Sequence, residues 1–523
     1  MRPVGYKFLI DSMGLGGVLP PRASAVVAPV TRVQRAGNDG RDILVPAGVA
    51  PATDNPVEHV LFALKHEGTD LAVLSAVMHE IDPAALVGAL QELPSGGYVR
   101  KACCLFENLT GKELPGVSGT GIPVDLFDPA LYVVIDPKVR VRRDPKWRVN
   151  FNGLGNWAMC PTIRRTDAVD RWIASGILDR ARDVFHDVDP GLIDRAMSWA
   201  YLNETKGSFS IERESPAPGK AEAFVRLLRQ AWDAPPMTED RLVALQAATI
   251  TNPLFRAVQF RTEQNHLQSG APGAIGVRYV PPPPEDVPSL MDGVISLAND
   301  TGSVNPIVRA SLASFGFVYV HPFMDGNGRL SRFLIHYVLA QDRAIPEGGI
   351  LPISAAMRRN EIEYLHTLET FSKPVRNLWD VTWIDGSQFE YAFRGDPAVY
   401  RYWDATDQTT FLFRMAEQSI QQDLVAETDF LRKFDVVFRK LSDKLDLQGK
   451  DLAALIQMCH QNGGSISNNR RKQYRLTVPE DAFPVIEDGV RSTFFREQES
   501  APDTAVSKVD DDEEDEPSSD WTP

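Results

Sequence analysis

His321-Pro322-Phe323-Met324-Asp325-Gly326-Asn327-Gly328-Arg329-Leu330-Ser331-Arg332 gathers a histidine, a carboxylate, an amide between two glycines and two arginines into one short stretch. Leu330, Phe333, Leu334, Tyr337 and Val338 follow with the i, i+3, i+4, i+7, i+8 spacing of a buried helix face. The spacing predicts a helix with Gly326 to Gly328 at its N-terminus. Unpaired N–H groups and the positive end of the dipole favour an anion there, and glycines let the backbone curl around phosphate oxygens. Arg329 and Arg332 lie three apart, so both lean toward one ligand from the first turn. Read as residues alone, the stretch is a phosphate site with a candidate base, His321, and a candidate metal carboxylate, Asp325. That chemistry is a metal-assisted phosphoryl or nucleotidyl transfer.

The rest of the chain sets bounds on that reading. Its 523 residues suffice for two to four domains, and 43% hydrophobic with 24% charged content is ordinary for a globular protein. No membrane span is visible, and Met1 to Gly17 lacks the pattern of a secretory leader. Cys103, Cys104, Cys160 and Cys459 show neither metal spacing nor a disulfide framework, so reduced thiols in a cytoplasm are expected. Net charge is −15, but the acidic run 510–516 with Asp520 accounts for about half of it. The remainder is mildly acidic, which argues against a nucleic-acid coat. Residues 501–523 have the composition of a disordered tail.

Helical signals recur along the chain. Val57 to His66 is apolar-periodic, Thr69 is placed to cap a helix through Ile81, Asp82-Pro83 opens another, and Tyr98 to Leu109 continues the pattern. Lys138, Arg140, Arg142, Arg143, Lys146 and Arg148 surround Trp147, with Val139, Val141 and Val149 suggesting strand character. Such a strip suits nucleic acid, a solvated edge or a dock for the acidic tail. Residues 222–232 and 238–251 read as amphipathic helices, and 255–268 continues in that manner. Ala274 to Val280 breaks into a short strand or hairpin arm. Asn305-Pro306 caps a helix to about Tyr319, and Ser354 to Glu369 is a further helix that carries Tyr364. His336 and His366 read as packing or surface histidines. Residues 402–495 are helical by pattern, with a turn at Asn462-Gly463-Gly464 and a basic cluster at Arg470-Arg471-Lys472.

The opening stretch resembles the signature of Fic-domain proteins, His-Pro-Phe-x-Asp/Glu-Gly-Asn-Gly-Arg-x-x-Arg. The chain is similar to Fic/Doc family protein adenylyltransferases of the class with an N-terminal inhibitory helix. The resemblance implies a mostly α, multidomain protein. It would comprise a helical domain at 1–130, a linker with a basic strand and helices at 131–200 and a helical Fic core with a short β-hairpin flap at 201–395. A helical or winged-helix region would fill 396–500 and the acidic tail 501–523. It further implies transfer of AMP from ATP to a Ser, Thr or Tyr hydroxyl of a protein target. His321 would be the base and Asp325 the Mg²⁺ carboxylate. Gly326, Asn327, Gly328, Arg329, Leu330, Ser331 and Arg332, with Tyr364, would bind ATP. Ser208 to Arg213 resembles the inhibitory helix, Ser208 and Glu212 being its marked residues, although Arg213 stands where the family has Gly or Asn and Glu214 is an alternative acid. Val277, Arg278, Tyr279 and Val280 look like the flap that docks the target.

Other readings stay open on the same residues. One is a different group transfer, another the removal of AMP with Glu212 placing a water. A third is a DNA-binding regulator acting through 402–495. The expected partners are a protein substrate and, as an option, a second copy of the chain. Nucleic acid is disfavoured but kept open through the C-terminal region, and no membrane is expected.

Overall fold

The computed structural model describes residues 2–36, 41–139, 142–186, 189–215, 218–232, 235–250, 256–386 and 388–495. The expectations for Arg140, Val141 and the acidic tail lie outside them. The described residues form two compact units, one of those within 1–180 and 201–417, the other of those within 181–200 and 418–495. Among the described residues no single helix is long and apolar enough to cross a membrane. All four cysteines are free and buried.

The first unit is mostly helical and is built around three helices, Val287–Asn299, Pro306–Val320 and Asn327–Gln341. Asn305 caps the second, its side chain accepting from Ile307 N at 2.9 Å, with Pro306 in the first turn. Both later helices are buried along nearly their whole length, so amphipathic periodicity alone understates how central they are. Arg309 fastens all three. It is 1% exposed, pairs with Asp342 at 2.8 Å, and donates to the carbonyls of Ala298 and Val338. A guanidinium this deep is tolerated only because every direction meets an acceptor.

The N-terminal region holds the expected helices at Pro56–His66, Leu71–Glu80, Pro83–Glu92 and Gly97–Thr110. Asp70, not Thr69, caps the second by accepting from Val73 N, while the Thr69 hydroxyl donates to the Leu126 carbonyl. A small sheet is added to these helices, with strands ordered Pro3–Val4, Ser24–Val27, Asp42–Val45 and Gln34–Ala36. Its strands are too short for alternation to be read in the sequence.

Within the described part of the basic stretch Lys138, Arg143 and Arg148 are exposed, Arg142 and Lys146 are half-buried, and the aromatic among them is turned inward. Arg142–Asp144 and Val149–Phe151 pair as antiparallel strands, and Trp147 is fully buried. Trp147 Nε1 and Lys146 Nζ both donate to the Glu107 carboxylate. The aromatic is therefore unavailable for base stacking.

Three local expectations change. No helix covers 256–266, because tertiary acceptors take its backbone donors: Ala257 N meets Gln246 Oε1 at 3.0 Å, Phe260 N meets Glu239 Oε1 at 3.1 Å and Arg261 N meets Pro322 O at 2.8 Å. The helix expected from Ser354 to Glu369 is two, Ile353–Arg359 and Glu361–Arg376, broken at Asn360. A hairpin that periodicity did not suggest, Trp379–Asp385 with Gln388–Phe393, packs Trp379, Val381, Phe389 and Tyr391 against Val277 and Val280. In the second unit every regular element among the described residues 418–495 is a helix, so of the two architectures expected there the helical one is present and no wing strand is seen among them. Gly463 and Gly464 make the expected turn at φ 65 and 89.

Glu67 sits under the N-terminal sheet, 5% exposed, accepting from Tyr6 N at 2.8 Å and Ala25 N at 2.9 Å. Burial pushes its carboxyl up to about 8, against the opposing pull of those two N–H groups. A raised folded-state value means the contribution to stability is complete below the unfolded value of 4.5 and is lost as pH rises toward 8. The difference in melting temperature between wild type and Glu67→Gln should therefore change between pH 5 and pH 8, with wild type losing ground as pH rises; a pH-independent difference would refute the assignment.

Candidate active site

His321 ends the helix Pro306–Val320 in the left-handed region, at φ 50 and ψ 59, with its N–H on Phe317 O at 2.9 Å. For a residue with a Cβ that conformation costs roughly 1–2 kcal/mol, so something must hold it. Arg261 does. Its Nε donates to the His321 carbonyl at 2.9 Å, and its other nitrogens reach the carbonyls of Val320, Pro282 and Glu263.

The imidazole is 4% exposed, and its Nδ1 lies 3.2 Å from Val318 O. A carbonyl only accepts, so Nδ1 carries the hydrogen and Nε2 is left with a free lone pair. Burial pushes the imidazole down to about 4; the Val318 carbonyl opposes the shift and the Arg261 charge adds to it. The ring is neutral across the physiological range.

The loop after His321 is shaped by Asn327, whose Oδ1 accepts from Phe323 N at 3.0 Å and whose Nδ2 donates to Phe323 O at 2.7 Å. Gly326 then turns the chain at φ 88 and starts the helix Asn327–Gln341. Asp325 accepts from Gly326 N at 2.6 Å and from Arg329 at 3.4 Å through the same oxygen, and its side chain is 34% exposed. Leu330 is fully buried, and Ser331 donates its hydroxyl back to Gly328 O at 2.8 Å, so neither side chain is offered to a ligand. The first-turn N–H groups are left for an anion.

A carboxylate lies over that helix end. Glu212 Oε1 accepts from Arg332 at 2.6 Å, and it stands so close to Gly328 that a Cβ there would collide with it. Arg332 is 1% exposed and also donates to Ser208 Oγ at 3.0 Å and Ser208 O at 2.8 Å. Glu214 takes the other arginine, Arg329, at 2.9 Å. The two acids between which the sequence left a choice are thus both engaged, one on each arginine. Arg329 is 1% exposed and its Nε has no partner among the described residues, a buried donor beside the phosphate-type cradle.

Arg213 explains how both acids reach. The helix Pro190–Ile211 closes with Arg213 N on Ser210 O at 2.9 Å and Glu214 N on Phe209 O at 3.0 Å, with Arg213 itself at φ 55. That pair of bonds around a left-handed residue is the Schellman C-cap. The left-handed position favours Gly or Asn, and Arg213 adopts the required conformation all the same.

Tyr364 is 5% exposed and lies beside Arg332 and Glu212 in a narrow pocket with Leu365 and Leu368, its ring on Phe411 at 5.7 Å. In the flap, Leu267–Gln268 pairs antiparallel with Val277–Tyr279 after a turn of 3-10 helix at Gly273–Gly276. Val277, Tyr279 and Val280 are buried and Arg278 is exposed. The carbonyls of Val277 and Val280 accept from Arg376 and from Tyr400, which fixes the flap to its neighbours.

Gln246 and Thr249 gave no sequence signal, whereas Arg261 lies in the stretch Arg261 to Asn265 that resembles the family's sequence around the flap. Glu204 was findable: with Ser208 and Glu212 it forms an i, i+4, i+8 row on one helix face. It accepts from Ser354 N at 2.6 Å, from the Ser354 hydroxyl and from His336 Nε2 at 2.7 Å, which makes His336 a buried tether between helices.

Replacing Arg213 by Gly removes the left-handed penalty at the cap without touching either acid. The variant should melt higher than wild type, by a stabilisation of about 1 kcal/mol; a lower melting temperature would mean that the Arg213 side chain, not its backbone, matters.

Residues 236–339 match the model of the Fic/DOC family. A stretch of 78 residues is 37% identical to protein adenylyltransferase Fic-1 of Caenorhabditis elegans, covering 14% of this chain and 15% of that protein. Another of 63 residues is 41% identical to protein adenylyltransferase Fic of Nematostella vectensis, covering 12% of this chain and 15% of that one. The chain thus spans only a small part of these curated relatives. A solved Fic family protein from Desulfovibrio desulfuricans aligns over 62% of this chain and 89% of its own at 17% identity, with a TM-score of 0.38. Motif, helix end and family match coincide on one segment, and this chain carries a Fic/DOC family domain at residues 236–339.

Proposed function

We propose that this chain transfers AMP from ATP to a hydroxyl of a protein substrate and that two glutamates hold it in a restrained state. The observation that carries the reading is the Glu212 carboxylate lying on Arg332 over Gly328, where a helix N-terminus and a buried guanidinium are built to receive a phosphate. The relatives named as protein adenylyltransferases supply the identity of the transferred group.

In this reading the His321 Nε2 lone pair takes the proton from a Ser, Thr or Tyr hydroxyl as its oxygen attacks the α-phosphorus of ATP. The new P–O bond forms as the bond to the β-phosphate oxygen breaks, and diphosphate leaves. The Gly326 to Gly328 backbone and Arg329 face the phosphates, and Arg332 receives the γ-phosphate once Glu212 withdraws. Tyr364, beside Arg332, walls the nucleotide pocket.

Asp325 fits a Mg²⁺ carboxylate: it is partly exposed, only one of its oxygens is engaged, and Mg²⁺ characteristically takes one or two carboxylates together with substrate phosphates and waters. Bound there, Mg²⁺ offsets charge on the leaving diphosphate. The residues themselves supply position. A misplacement of about 1 Å can cost on the order of 10²-fold, and a guanidinium held by a carboxylate cannot make the same bidentate contact with a phosphate.

Incubation with α-labelled ATP, Mg²⁺ and a cell lysate tests the reading. Glu212→Gly should raise labelling of the protein itself and of lysate proteins, Glu214→Gly should raise it less, and His321→Ala should remove it by about 10²–10⁴-fold in either background. Label appearing from the γ-phosphate instead would make the chain a kinase, and activation by Glu214→Gly alone would move the restraint to Arg329.

Because His321 is held down at about 4 by burial, with Arg261 adding to the shift, its imidazole stays unprotonated well below the usual histidine range. The kcat/KM of the Glu212→Gly variant should accordingly show no histidine-type loss between pH 8 and pH 6, and should fall only as pH approaches 4. An acid limb centred near 6.5 would contradict the buried, neutral base.

A further inference from the structure

A pocket of about 310 Å³ opens beside the loop that carries His321 and Asp325, and no step described above uses it. Its floor is aromatic: Phe260 and Phe323 are buried, with ring centroids 5.6 Å apart. Its apolar rim is Val258, 90% exposed, and Met324, 50% exposed, with Arg256 and Glu263 at the edge. Single exposed apolar side chains are commonplace, but two lining one aromatic-floored pocket make a surface that water covers poorly.

The pocket is preformed. Gln246, Glu239 and Pro322 accept from the backbone N–H groups of Ala257, Phe260 and Arg261, so the outer wall is pinned to the core at three points. Its inner wall, Met324, is three residues from His321 and therefore within about 11 Å of it along the chain. The outer wall runs on through Glu263 into Leu267, where the first strand of the flap begins. A segment lying along the flap with its hydroxyl at His321 passes over this opening.

We infer that the pocket sets substrate specificity, taking an apolar side chain two residues away from the accepting hydroxyl in an extended segment of the protein substrate. This rests on the adenylyl-transfer reading. The register follows from strand geometry. Side chains alternate, so the residues that point the same way as the acceptor are two removed, about 7 Å along the strand. That spacing lies within the roughly 11 Å at most that three residues of chain can put between His321 and Met324. An apolar pocket of this kind discriminates by about 10–200-fold for one side chain.

The test maps AMP-modified sites by mass spectrometry after incubating lysate with ATP and Mg²⁺, using wild type and Glu212→Gly, each with and without Met324→Lys or Val258→Lys. Expected is a Leu, Ile, Val, Met or Phe at one fixed position two residues from the modified residue. Either lysine should erase that preference and lower kcat/KM for a peptide made from a mapped site by about tenfold or more, through KM. ATP affinity should stay within about twofold of wild type. Modified sites with no apolar preference, or a preference that survives both lysines, overturn the inference and leave AMP transfer standing. An ATP affinity that falls as far as peptide transfer does assigns the pocket to the nucleotide instead. If no protein gains AMP from either background, the adenylyl-transfer reading itself fails, and the specificity pocket with it.

Discussion

A guanidinium that is 1% exposed cannot be left without an acceptor, and Arg332 imposes that constraint on everything around it. Its acceptors come from a different helix, through Ser208 and Glu212. The C-terminal end of the helix Pro190–Ile211, its carbonyls closed by the Arg213 cap and by Arg332, is thereby brought to the N-terminal end of Asn327–Gln341, where first-turn N–H groups have no helical partner. A carboxylate at the end of the first helix is unfavourable for that helix and favourable for the second, and the arginines tip the balance. Gly328 makes the arrangement sterically possible, since any Cβ would meet the Glu212 carboxylate. In the proposed reading the same geometry makes Glu212 a competitor of phosphate, because both would satisfy one buried cation and one helix end.

Arg261 plays the matching part on the other side of the loop. By holding the His321 carbonyl in a left-handed conformation it fixes where the imidazole sits. Its contacts with Pro282, Glu263 and, through its backbone, Pro322 join the motif loop, the flap and the wall of the neighbouring pocket into one rigid assembly. Burial lowers this guanidinium to about 10, so it remains a cation at neutral pH and helps keep His321 neutral. Proposed base and proposed substrate surface are thus positioned by one side chain.

Much of the site was legible because its chemistry is local. Gly326 to Arg332 announce an anion at a helix start through spacing alone, and Asn305-Pro306 and Asp82-Pro83 announce helix starts through capping that needs no distant partner. The segment 256–266 was not legible. Its composition suits a helix, yet its backbone donors bond to Gln246, Glu239 and Pro322, and tertiary acceptors override propensity. The hairpin Trp379–Asp385 with Gln388–Phe393 was missed for a similar reason, since it gains its stability by packing on Val277 and Val280.

The sequence by itself determined the Fic-type motif, its helix and the identity of the groups able to act there, because those depend on residues within one or two turns of each other. Only the tertiary structure decided that Glu212 and Glu214 each hold a separate arginine, that His321 is buried and neutral, and that Val258 and Met324 share a pocket. Those outcomes depend on which distant groups lie within about 3 Å and on how much water is excluded between them, and neither quantity is written in spacing.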